Sequence, residues 1–97
     1  MSDKVLIVIA TGDPAKALVG VTYALRTLQE GWLDDVKLVF FGPGQDVLLT
    51  SSAIQDMVVQ IGEVARPLAC KAVADRNGTV ESTERLGVEV AYVGKRI

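Results

Sequence analysis

Val5-Leu-Ile-Val-Ile-Ala10, followed at once by Thr11-Gly12-Asp13-Pro14, decides the fold class. The run is apolar at every position and rich in β-branched residues. It is too short for an ordinary helix and lacks the polar alternation of a half-buried strand, so it predicts a strand covered on both faces within a parallel sheet. Asp13 suits a helix N-cap, and Pro14 suits the first helical position, where its missing N–H leaves no hydrogen bond unmade.

Outward from this junction the chain alternates. Leu18, Val21, Thr22, Leu25, Leu28 and Trp32 form one stripe at helical spacing, which predicts a helix over 14–30 ended by Gly31 in the left-handed conformation. Tyr23 and Trp32 read as packing residues. Val36-Lys-Leu-Val-Phe-Phe41 is a second strand, broken by Gly42-Pro43-Gly44. Val47-Leu-Leu49 is apolar but too short to assign. Ser52 and Gln55 have the spacing of a capping box, and Ile54, Met57, Val58 and Ile61 repeat behind them, predicting a helix over 52–62. Residues 64–69 read as a third strand, weakened by Pro67, which cannot donate to a ladder. A short helix follows over 71–77, closed at Asn77-Gly78. Thr79 to Arg85 is polar and reads as one turn, and 88–93 is a fourth strand.

This alternation predicts one α/β domain over residues 1–97, with a mostly parallel sheet of about four strands. Crossovers between parallel strands are right-handed almost without exception. Strands laid down in simple chain order would therefore put all the helices on one face. The apolar run over 5–10 asks for cover on both faces, so the expectation is either a three-layer strand order or a sheet covered by a second chain in a homo-oligomer. The hydrophobic share of 49% points the same way, since a small domain has proportionally more surface to cover.

Composition excludes several function classes. Ten Lys and Arg against twelve Asp and Glu leave a net charge of −2, with no cationic excess to bind nucleic acid or an anionic membrane. There is no His, which removes Ser-His-Asp and Cys-His catalysis and any His-ligated metal site within one chain. A single Cys permits no internal disulfide, no CxxC pair and no Cys-rich zinc site, and fits a reducing, cytoplasmic setting. The run over 5–10 is too short for a signal peptide or a membrane span. No cofactor is implied.

In parallel sheets, ligands sit beyond the carboxyl ends of the strands. Those ends gather Thr11, Gly12 and Asp13; Gly42 to Gln45; Cys70 and Lys71; and Gly94 to Arg96. Cys70 is the sharpest candidate. It falls where a strand passes into a helix, and the amides of a helix's first turn favour a thiolate and lower its pKa. Lys71 places a positive charge where the helix dipole disfavours one, which suits an anion beside it. The alternative is that Cys70 is a small buried hydrophobe. Gly42-Pro43-Gly44 lacks the third Gly and the Gly-Lys-Ser/Thr of a phosphate loop, so a turn is the better reading. Asp13 reads as a cap, and Thr11-Gly12 as turn chemistry that also suits a pocket wall.

Four stretches taken together resemble the DsrE/DsrF-like family of small sulfur-relay proteins, which includes sulfur-carrier subunits of the Tus and Dsr complexes. They are Lys4 to Pro14, Val36 to Gly44, Pro67-Leu-Ala-Cys70 and Leu86-Gly-Val-Glu-Val-Ala-Tyr-Val-Gly94. The resemblance covers nearly the whole chain, although such proteins usually continue with a helix and a fifth strand where this chain has only Lys95, Arg96 and Ile97. It implies an α/β fold, assembly into dimers, trimers or hexamers, and a persulfide on Cys70 passed between donor and acceptor proteins. Three functions remain open: this carrier, with Cys70 exposed enough to hand on its sulfur and Lys71 stabilising the anion; a non-catalytic ligand-binding or assembly module with Gly12, Asp13 and Gly42 to Gly44 around a small anion pocket; and a subunit of a larger assembly with an inert Cys70. In the carrier reading, the loops at Thr11–Asp13 and Gly42–Gly44 are expected nearest the thiol.

Overall fold

The computed structural model describes residues 4–33 and 35–96. Four parallel strands, β1 (Lys4–Ile9), β2 (Asp35–Phe40), β3 (Leu68–Cys70) and β4 (Glu89–Ala91), pair in chain order. Among the described residues six helices join or follow them: α1 (Pro14–Glu30), α2 (Pro43–Thr50), α3 (Ser52–Gly62), α4 (Lys71–Asn77), α5 (Val80–Glu84) and α6 (Val93–Arg96). The α/β class and the parallel sheet are those expected from the sequence.

The first helix forms as its boundary residues dictate. The Asp13 carboxylate accepts the amides of Ala15 at 2.9 Å and Lys16 at 3.4 Å, and Gly31 closes the helix at φ 67°. Ala17, Val21, Ala24 and Leu25 are its buried face. Trp32 lies beyond the cap and is 57% exposed, and Tyr23 is also exposed, so neither is the packing residue expected of it. The cap of α3 is Ser51 rather than Ser52: the Ser51 hydroxyl accepts the Ile54 amide at 3.3 Å, while the Gln55 amide group reaches back to the Leu48 carbonyl.

Three stretches take a different form from their expectation. Val47-Leu-Leu49 belongs to α2, whose first turn begins at Pro43, so the Gly-Pro-Gly segment starts a helix instead of merely ending a strand. The third strand is Leu68–Cys70 only, because the amides of Val64 and Ala65 bond to the Ile61 carbonyl in the turn leaving α3. The fourth is likewise short, since the chain turns into α6 at Val93.

One face of the sheet carries the main core. Val5, Ile7 and Ile9 of β1 and Val36, Leu38 and Phe40 of β2 pack against Ala17, Val21 and Leu25 of α1, Val47 and Leu48 of α2, and Ile54, Val58 and Ile61 of α3. The other face holds a smaller cluster of Val39, Leu68, Cys70 and Val93, with Val73 against it. Towards β1 this second face is open: Leu6 is 42% and Val8 48% exposed. The apolar run that suggested burial on both sides is therefore buried on one side by this chain alone, because chain-order crossovers place α1 and α3 together. Among the described residues no helix is long and apolar enough to cross a membrane.

Candidate functional site

Cys70 is the last residue of β3 and the N-cap of α4. Its side chain shares the second face with Leu68 and Val39, and only 7% of the residue is exposed. That is deeper than the partial burial expected of a handover site, because Val93 of α6 folds over this end of the sheet.

Cys70 is not walled in completely. Cys70 lines an open pocket of about 380 Å³ with Phe41, Tyr92, Val93 and Gly94, and the lining is almost wholly apolar. Sheet register explains this set. Phe40 pairs with Ala69, and Cys70 pairs with Ala91, so Phe41 and Tyr92 each lie one residue beyond a paired position on the strands flanking β3. Both aromatic side chains are about half exposed. Neither stood out in the sequence; the available signal was their place immediately after an apolar strand on either side of the Cys strand.

The loops expected beside the thiol turn instead to each other. A Cβ on Gly12 would come within 3.4 Å of the Pro43 Cβ, so the β1–α1 loop abuts the start of α2. Thr11 uses its hydroxyl to accept the Asp13 amide at 3.0 Å, and Asp13 is engaged as a cap. The amides of Gly42, Gly44 and Gln45 bond to Gln45 Oε1, the Phe41 carbonyl and the Gly42 carbonyl. These internal bonds occupy the donors that an anion between Gly42 and Gly44 would need. Of the residues named from sequence, Cys70 and Gly94 line the pocket, while Thr11, Gly12, Asp13, Gly42 and Gly44 do not.

Lys71 stands beside the pocket, but its charge already has a partner. Nζ lies 2.8 Å from the Asp75 carboxylate, four residues on in α4, and 5.7 Å from the centre of the Tyr92 ring. The hydrogen bond to Asp75, reinforced by its charge, raises the Lys71 pKa above the ordinary 10.5. The unfavourable placement of a cation in the first turn is thus answered by Asp75, and requires no thiolate.

The fold and site together define a small parallel α/β protein with one thiol in an apolar pocket at the carboxyl edge of its sheet. No family model matches the chain, and no curated protein matches its sequence. The solved structure of a conserved protein of unknown function from Bacteroides thetaiotaomicron is similar over 97% of this chain and 83% of its own, with a TM-score of 0.86 at 21% identity. At that identity the likeness is one of fold.

Proposed function

We propose that this chain is a cytoplasmic sulfur-relay protein that carries sulfane sulfur as a persulfide on Cys70. The observation that supports this best is the thiol's setting: a nucleophilic sulfur at the carboxyl edge of a parallel sheet, in the wall of an open apolar pocket. Sulfur is soft and polarisable, and aromatic edges such as those of Phe41 and Tyr92 make favourable contacts with it. In the transfer step the Cys70 thiolate attacks the outer sulfur of a donor persulfide. The new sulfur–sulfur bond forms as the donor's own breaks, the donor leaves as a thiolate, and the proton lost by Cys70 goes to solvent or to that thiolate. No net oxidation occurs. A second transfer to an acceptor thiol reverses the roles. The resemblance in the Cys70 and Gly94 stretches favours the same reading.

Assembly belongs to this proposal. Leu6 and Val8 leave an apolar strip on a sheet face, and a second copy of the chain is the proposed cover. The competing reading, a binding or assembly module with an inert thiol, is favoured by the low exposure of Cys70 and is decided by the same experiment. Incubation with a cysteine-desulfurase donor is expected to add the mass of one sulfur atom to the wild type and none to Cys70→Ser. A wild-type protein that takes up no sulfur overturns the carrier and leaves the module.

A further inference from the structure

Glutamine is seldom fully buried, because its amide loses water on both its oxygen and its nitrogen. Gln45 is 1% exposed. Its Oε1 accepts the Gly42 amide at 2.9 Å, and its Nε2 donates to the Cys70 carbonyl at 3.1 Å. The first bond has a local explanation: a side chain in the third helical position that satisfies the N-cap amide is one half of a capping box for α2. The second bond has none. It leaves α2, spans 25 residues of sequence, and ends on the main chain of the residue whose sulfur lines the pocket.

Gly42 directly follows Phe41, so one buried amide ties the Phe41 wall of the pocket to the Cys70 wall. The thiol makes no capping hydrogen bond of its own. Its position therefore depends on where the β3–α4 junction holds the Cys70 main chain. We propose that Gln45 is a positioning residue that sets the width of the pocket and the presentation of the Cys70 sulfur. For its relevance to sulfur transfer the inference rests on the relay reading, while its geometric content stands apart from it.

Two variants separate the two bonds. Gln45→Glu keeps the size and the acceptor for Gly42, but sets an oxygen against the Cys70 carbonyl until the new carboxyl takes up a proton and donates in place of Nε2. Gln45→Met keeps the volume and neither bond. The readout is the alkylation rate of Cys70 with N-ethylmaleimide divided by the rate with iodoacetamide. Thiol ionisation cancels in this ratio, which reports access alone. The ratio is expected to change about tenfold in Gln45→Met, and by a similar factor in Gln45→Glu once the pH is alkaline enough to ionise a buried carboxyl, whose pKa burial raises. In Gln45→Glu it should return to the wild-type value as the pH falls, a recovery that a merely structural role would not produce. Amide exchange at Gly42 should stay slow in Gln45→Glu and quicken in Gln45→Met. Folded variants with a wild-type ratio at every pH overturn the proposal. Should the variants fail to fold, the wild type decides: one slowly exchanging Gln45 side-chain proton that shifts when Cys70 is alkylated supports the clamp, and two freely exchanging protons overturn it. Sulfur loading of the wild type, run in parallel, tests the relay reading separately, since a protein that takes no sulfur still gives an alkylation ratio.

Discussion

At Gly44 a single added carbon meets the main chain of another element. A Cβ there would run into the carbonyl of Ile9, which cannot move without disturbing the β1 ladder. Gly44→Ala is expected to cost about 2–3 kcal/mol by denaturant unfolding, the upper range for overpacking. Gly20→Ala provides the contrast. Its new Cβ would lie 2.7 Å from Ile9 Cδ1, the free end of a flexible side chain, and an alanine in mid-helix gains about 1 kcal/mol over glycine. The net change there should be within about 1 kcal/mol of zero. The Gly-Pro-Gly sequence showed a break after a strand but not what lies against it, because that contact is made with a residue far back in the chain. Lys71 gives a residue-scale prediction in pH. Its folded pKa lies above 10.5, so its ion pair contributes fully below the unfolded pKa and is lost as pH rises through the folded one. The difference in thermal midpoint between wild type and Lys71→Met should hold steady from neutral to mildly alkaline pH, then shrink above that range. It should also shrink with added salt, since both side chains are well exposed.

Elements were legible in proportion to how much of their signal is local. Both ends of α1 could be read directly, because Asp13, Pro14 and Gly31 act within one turn of themselves. The range of α3, 52–62, was read correctly, but its cap was misplaced by one residue, since Ser51 and Ser52 are equivalent by type and only the main-chain path selects the cap. Ser51→Ala should therefore cost about 1 kcal/mol of stability while Ser52→Ala costs almost nothing, a comparison that equilibrium unfolding checks directly. The helix α2 was hidden because Gly42 has no side chain to cap with, Pro43 and Gly44 are poor helix formers, and eight residues hold too few turns for a period to show. At the site, the β3–α4 junction that places Cys70 could be anticipated from the switch between an apolar run and a polar one. Phe41 and Tyr92 could not, because only the pairing of β2, β3 and β4 brings them to either side of the sulfur.

For the whole molecule, the open strip of β1 sets the strongest expectation. Replacing both Leu6 and Val8 by Glu should give the mass of a single, still folded chain in light scattering, because both side chains are 42–48% exposed within one chain, and its thermal midpoint should no longer rise with protein concentration. A wild type that already scatters as one chain would remove the proposed second copy. The sheet's layout also bears on how the chain reaches its structure. Since the strands stand side by side in the order of synthesis, no strand has to be inserted between two that are already paired. As the chain leaves the ribosome, β1, α1 and β2 can close on one another first, and each later strand then docks on the one free rim nearest to it. Each strand pairs with its neighbour in the chain, which permits stepwise growth from the amino-terminal side, although every parallel pair still has to close a crossover such as that between Val5 and Val36. The opposite rim, along β1, is never the target of a later strand, and from the first moment of folding it is the flank that must be kept from pairing with a stranger.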